Sequence, residues 1–147
     1  TAQGFITGKS RYLQRSRILG RRIIKGESNT DHRLGGGIGS VLRYLVQLGI
    51  SKLVTVTFPA GTFLVNITGC FVIGLLYGLS GRYAALTSEW RLFLITGLCG
   101  GYTTFSSFSY ESISLFRQGN YTYFILYTVL SVVIGLFSTI GGMNIVK

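Results

Sequence analysis

Three stretches without a charged residue govern what this chain can become: Leu53–Gly81 (29 residues), Leu92–Tyr110 (19) and Gln118–Val146 (29). Each reaches the ~20 residues that a helix needs to cross ~30 Å of hydrocarbon. A fourth stretch, Leu34–Ser51, carries one charge, Arg43. Hydrophobic residues make up 48% of the chain and charged residues 12%. Ordinary globular chains hold roughly 25% charged residues, so a water-soluble domain of this composition could not cover its own surface. The expected architecture is an all-α membrane protein, with four transmembrane helices over residues 34–147 behind a basic tail, residues 1–33.

The same composition removes most enzyme chemistry. The acids are Glu27, Asp31, Glu89 and Glu111, and the only histidine, His32, falls in the polar tail. No Cys/His cluster has the spacing of a zinc site. No carboxylate pair suits acid–base work, and no Ser/His/Asp set can be assembled, so the chain is not expected to be an enzyme. Cys70 and Cys99 lie inside apolar runs and read as free thiols that behave as small apolar residues.

Net charge is +10, and residues 1–33 hold eight of the fourteen Lys and Arg residues. A basic segment poor in acids can bind anionic headgroups or nucleic acid, or serve as an import sequence. The favoured reading is a solvated, disordered arm or residues foreign to the domain, with no nucleic-acid partner. The first residue is Thr, so a processed or fragmentary chain is expected.

The first span begins with Gly35, Gly36, Gly37 and Gly39 and is short. Pro59 suits the first turn of a second helix, which should run to Gly78 or Ser80. Ser88 or Glu89 can cap a third helix from Trp90. Gln118-Gly119-Asn120 should break the chain again before a fourth helix over Tyr121–Gly141. Trp90, Tyr121 and Tyr123 stand where aromatic belts are expected.

Small and polar residues recur every four positions: Thr62, Asn66, Cys70, Gly74 and Gly78 in the second span, and Tyr127, Ser131, Gly135 and Thr139 in the fourth. Such stripes let helix backbones approach closely, which suffices for the glycines. The Asn66 amide must meet a partner or water, because an unpaired amide in hydrocarbon costs several kcal/mol. An interhelical hydrogen bond and a place on a pathway are evenly balanced for it.

The third span carries Thr96-Gly97-Leu98-Cys99-Gly100-Gly101-Tyr102-Thr103-Thr104-Phe105-Ser106-Ser107-Phe108-Ser109. Three glycines in five residues, followed by two β-branched threonines, predict a break at membrane depth. Irregular backbone there is tolerated only inside protein or along an aqueous cavity, and a broken span offers the carbonyls and half-helix ends that ion sites use. Phe105 and Phe108 share a face and are interleaved with hydroxyls. Aromatic ring edges carry partial positive charge, so this lining suits a small, hard anion. Arg43, placed near the end of the first span, could snorkel to the interface or attract anions at an entrance. Glu111 should make a structural hydrogen bond.

Gly35–Tyr44, Phe58–Gly69 and Thr96–Phe108, with Tyr127, Ser131 and Gly135-Leu136, together resemble the Fluc/CrcB fluoride channels over residues 35–142. The resemblance implies an antiparallel, dual-topology homodimer in a bacterial-type inner membrane that exports cytoplasmic fluoride passively and protects the cell from it. It also implies an ion pathway along Asn66, Thr104, Phe105, Ser106, Phe108, Tyr127 and Ser131, with Arg43 at the vestibule. Gly100 and Thr103 match the positions whose carbonyls hold a structural Na+ on the dimer axis. Glu111 matches a family glutamate of open role. Two features depart from the family pattern: Asn29–Arg33 replaces the apolar start of the first span, and the basic tail is foreign to it. The alternatives are a small multidrug-type exporter, which would want a carboxylate in the first span, and a non-transporting membrane scaffold that uses its basic arm.

Overall fold

The computed structural model describes residues 32–54, 57–82 and 88–146, and all the regular structure among them is helical. The basic tail up to residue 31 lies outside the described residues, as does the connection at 83–87. Helix α1 spans residues 32–53, so His32 and Arg33 are already helical and extend the first helix beyond the glycine cluster. Arg43 sits at its middle rather than near its end.

Helix α2 is Ala60–Arg82. Pro59 stands just before it, and its carbonyl takes the first helical bond from Phe63 N–H at 3.1 Å. The helix outruns the expected stop at Gly78 or Ser80, because both residues keep helical backbone. The third segment begins with α3, Ser88–Arg91, runs through a π-helical stretch, Leu92–Cys99, and ends in α4, Gly100–Tyr102. After the break come α5, Phe105–Arg117, and α6, Tyr121–Ile145.

The α5–α6 turn has a local cause. Gly119 adopts φ +76°, a left-handed conformation that glycine enters without strain. Gly119 N–H then reaches the Phe116 carbonyl at 3.1 Å, and Asn120 N–H reaches that of Leu115 at 3.0 Å. This is the Schellman pattern, which satisfies the last carbonyls of a helix. The Phe116 ring packs edge-on against Tyr121 and Phe124, with centroids 5.4 and 5.5 Å away, and fixes the reversal.

Among the helices from α2 onward, the main pairing joins α2 to α6. It depends on glycines where backbones nearly touch: a Cβ on Gly74 would run into the Thr139 carbonyl, and one on Gly142 into that of Phe71. The buried centre holds Val65, Tyr127 and Leu115 with the polar Thr62, Thr104 and Ser112. Both α2 and α6 are long and apolar enough to cross a membrane, with mean hydropathies of 1.8 and 2.1, yet only 22% and 11% of their most apolar windows are buried. A core helix of a water-soluble domain would be largely covered. Apolar helices exposed in this way are solvated by lipid, and the protein is a membrane protein.

The glycines of the third segment do not form the break. Gly97, Gly100 and Gly101 remain helical, and Gly100 N–H reaches back to the carbonyls of Gly97 and Ile95. Gly97 and Gly101 make room for α1 instead. A Cβ on Gly97 would stand 3.1 Å from the His32 carbonyl and 3.2 Å from Gly35 Cα, and one on Gly101 would collide with Gly36 O. The helix ends at the two threonines: Thr103 has ψ 156° and Thr104 has φ −147°, ψ 110°.

Candidate functional site

The break at Thr103-Thr104 is held from both sides. Thr103 N–H and its hydroxyl both donate to the Cys99 carbonyl, at 2.9 and 3.0 Å, closing the upstream half-helix. Thr104 caps the downstream one: its Oγ1 accepts from Ser107 N–H at 3.2 Å, and its hydroxyl meets Ser107 Oγ at 3.0 Å and Ser106 Oγ at 3.2 Å. Such caps satisfy donors that the helix start leaves open.

Asn66, from α2, completes the arrangement. Its Oδ1 accepts from Thr104 N–H at 2.8 Å, and its Nδ2 donates to the Thr104 carbonyl at 3.2 Å. The side chain therefore pairs with an extended residue much as a neighbouring strand would, and this resolves its interhelical partner. An amide nitrogen carries two donors, so Asn66 can still offer one N–H elsewhere. Because Thr104 N–H points to Asn66, it does not close the helical bond to the Gly100 carbonyl.

Beside the break lies a cavity of about 230 Å³, lined by Asn66, Cys70, Ile73, Thr103, Thr104, Phe105, Phe108, Ser131 and Val132. Five residues of the expected pathway thus share one wall: Asn66, Thr104, Phe105, Phe108 and Ser131. Ser131 Oγ is buried with no hydrogen-bond partner, and among the described residues no ionisable carboxylate or amine lines the space. The Phe105 and Phe108 rings stand 5.7 Å apart, and Phe108 packs at 5.3 Å on Tyr127. Phe105 is 79% exposed, so its outer face lacks a covering in a single chain.

Other expected residues stand apart from the cavity. Ser106 is exposed and reaches it only through its bond to Thr104. Tyr127 is fully buried and backs Phe108. Arg43 Nη1 donates to the Thr103 carbonyl at 3.4 Å, a long contact at the rear of the break. Gly100 is exposed on the surface of α4.

A second polar cluster went largely unread in the sequence. Glu111, well inside α5, accepts from Thr62 Oγ1 through Oε1 and from Tyr127 Oη through Oε2, both at 2.7 Å. Gln47 Nε2 donates to Thr62 Oγ1 at 3.0 Å. Helices α2 and α6 therefore meet α5 on one carboxylate, with α1 joined to it through Thr62, and Phe58 packs its ring edge-on to Tyr127 at 5.4 Å. The expected structural hydrogen bond of Glu111 is present. Thr62 is visible only as a stripe member, and the missed signal is Gln47, a polar side chain among the apolar residues Leu45, Val46 and Leu48 of α1.

Residues 32–143 match the family described as CrcB-like protein, Camphor Resistance (CrcB). Among curated proteins, the chain is 52% identical over 114 residues to the fluoride-specific ion channel FluC of Flavobacterium psychrophilum, covering 78% of this chain and 92% of that one. It is 49% identical over 110 residues to the protein of the same name from Phocaeicola vulgatus, covering 75% and 90%. With the Azobacteroides pseudotrichonymphae protein, also a fluoride-specific ion channel FluC, identity is 46% over 109 residues, covering 74% and 87%. With most of its length matched by the family and by relatives this similar, the chain belongs to the CrcB family.

Proposed function

We propose that this protein is a fluoride-selective channel that lets cytoplasmic fluoride leave passively and so protects the cell from it. The carrying observation is the cavity at the helix break, where the Phe105 and Phe108 rings, the Asn66 amide and the Ser131 hydroxyl converge with no charged side chain among the described lining residues. Hydrogen-bond donors and ring edges stabilise an anion while leaving it able to move on, whereas a buried cation would hold it. Fluoride, small and a strong acceptor, gains most from donors set close together. The relatives' names give the same ion.

The active form in this reading is an antiparallel homodimer in the inner membrane, each chain crossing four times. Its support is Phe105, a ring that lines the cavity and is 79% exposed, so that a second copy packed there would close the pathway. The Gly100 and Thr103 carbonyls fit a structural Na+. Hard cations take oxygen ligands; the Gly100 carbonyl lacks its helical donor, and the Thr103 carbonyl has a second lone pair beyond its long contact with Arg43. Bound there, the ion would supply a fixed positive charge near the break. Arg43, whose guanidinium reaches the Thr103 carbonyl at 3.4 Å, stands at the pathway vestibule in this reading.

The test is fluoride release from liposomes, followed with a fluoride electrode and with chloride as the control anion. The expected result is fluoride release without chloride release, reduced at least about a hundredfold in Phe105→Ile, Phe108→Ile, a loss of about 2.7 kcal/mol of barrier stabilisation. Equal passage of chloride would overturn the reading.

A further inference from the structure

A cavity of about 350 Å³, larger than the one at the break, opens between α2 and the start of the third segment, lined by Tyr77, Arg91, Leu92, Ile95 and Thr96. We propose that it is a docking groove for an anionic phospholipid, with the phosphate on Arg91 and an acyl chain along Leu92 and Ile95. The inference is independent of which ion the protein passes; it needs only the bilayer.

Three observations carry it. First, Arg91 is exposed and finds no acid to pair with among the described residues. Glu111 is held by Thr62 and Tyr127, and Glu89 stands two residues away, a spacing that does not face across a helix. A guanidinium presents a rigid fork of donors matched to phosphate oxygens. Second, the groove changes character along its length, with Arg91, Tyr77 and Thr96 offering donors beside apolar Leu92 and Ile95. A free phosphate has no use for the apolar part, whereas a phospholipid uses both. Third, the groove sits at headgroup level. Tyr77 lies near the end of α2 and Trp90 at the start of α3, 48% and 57% exposed, as the aromatic belt of a membrane–water boundary requires.

The experiment compares phosphatidylglycerol with phosphatidylcholine of identical acyl chains on the full chain in detergent, reading lipid retention by native mass spectrometry and the thermal unfolding midpoint. Phosphatidylglycerol should be retained about tenfold more strongly, the size of effect that one charge-assisted contact supplies. Arg91→Gln should abolish the preference, Arg91→Lys should keep part of it, and Arg117→Gln, exposed at the end of α5, should leave it intact. The Lys variant keeps the test valid if the Gln variant fails to fold, since full tenfold retention there would deny the fork. Equal retention of the two lipids, or a preference that survives Arg91→Gln, overturns the proposal. So does glycerol phosphate alone reproducing the midpoint shift, which assigns the site to a soluble anion. Cross-linking of Arg91→Cys to a second copy overturns it as well, by filling the groove with protein.

Discussion

Thr62 joins more of the molecule than its size suggests. It is 2% exposed, donates to Glu111 and accepts from Gln47. Thr62→Val keeps the shape and removes both bonds, leaving a carboxylate oxygen and an amide short of partners where water is scarce. Hydrogen bonds to charged groups contribute about 1.5–3 kcal/mol, and unpaired buried groups cost a similar amount. The expected outcome is destabilisation of about 2–4 kcal/mol, seen as a lower thermal midpoint of the purified protein, with Gln47→Leu giving a smaller loss. Asn66 shows what could be read at this scale without a structure. That its amide needed a partner followed from the cost of burying it, but the partner is the main chain of Thr104, which no side-chain pattern announces. Ser131 was legible as a polar residue of the fourth span, and its hydroxyl stands unpartnered at the cavity.

At the scale of elements, the two long apolar helices and the Gln118-Gly119-Asn120 turn were legible, since hydrocarbon length and a left-handed glycine each leave a local mark. The break was legible in kind and displaced in position. Glycine in a membrane helix signals either weak backbone or close approach, and only the packing partner decides between them. Here α1 supplies that partner, so Gly97 and Gly101 stay helical and the break falls on the threonines, whose side chains can bond to the backbone they interrupt. The contrast can be tested within α1. A Cβ on Gly39 would collide with the Leu98 carbonyl and stand 2.8 Å from Tyr102 N, whereas one on Gly49 meets nothing within 4 Å. Gly39→Ala should cost about 1–3 kcal/mol by overpacking. Gly49→Ala should be neutral or gain up to about 1 kcal/mol of helix propensity. Thermal unfolding midpoints of the two variants check the prediction, and equal behaviour would show that α1 does not rest on the π-helical stretch.

For the whole molecule, the open question is orientation. In the proposed four-span path, Lys52 and Arg117 fall at one membrane face and Arg82, Arg91 and Lys147 at the other. Three against two is a weak bias, compatible with copies inserting both ways, as an antiparallel dimer needs. The basic tail changes the count, because residues 1–33 hold eight Lys and Arg residues on the same side as the three. Positive charge close to a first span holds that side in the cytoplasm, so a tail present at insertion should enrich one orientation and starve the proposed antiparallel dimer of its opposite partner. The measurement uses Asn120→Cys, in the α5–α6 turn, with Cys70 and Cys99 replaced by Ser, and an impermeant maleimide added to intact and lysed spheroplasts. Without residues 1–33, labelling in intact cells should be about half of that after lysis, the split expected when both orientations insert equally. With the tail, Asn120→Cys faces outward in most copies and intact cells should label nearly as strongly as lysed ones. Near-equal halves in both forms would mean that the tail acts after insertion or not at all. A strong skew without the tail would set the antiparallel assembly aside, leaving the exposed Phe105 ring to be covered by a copy of the same orientation.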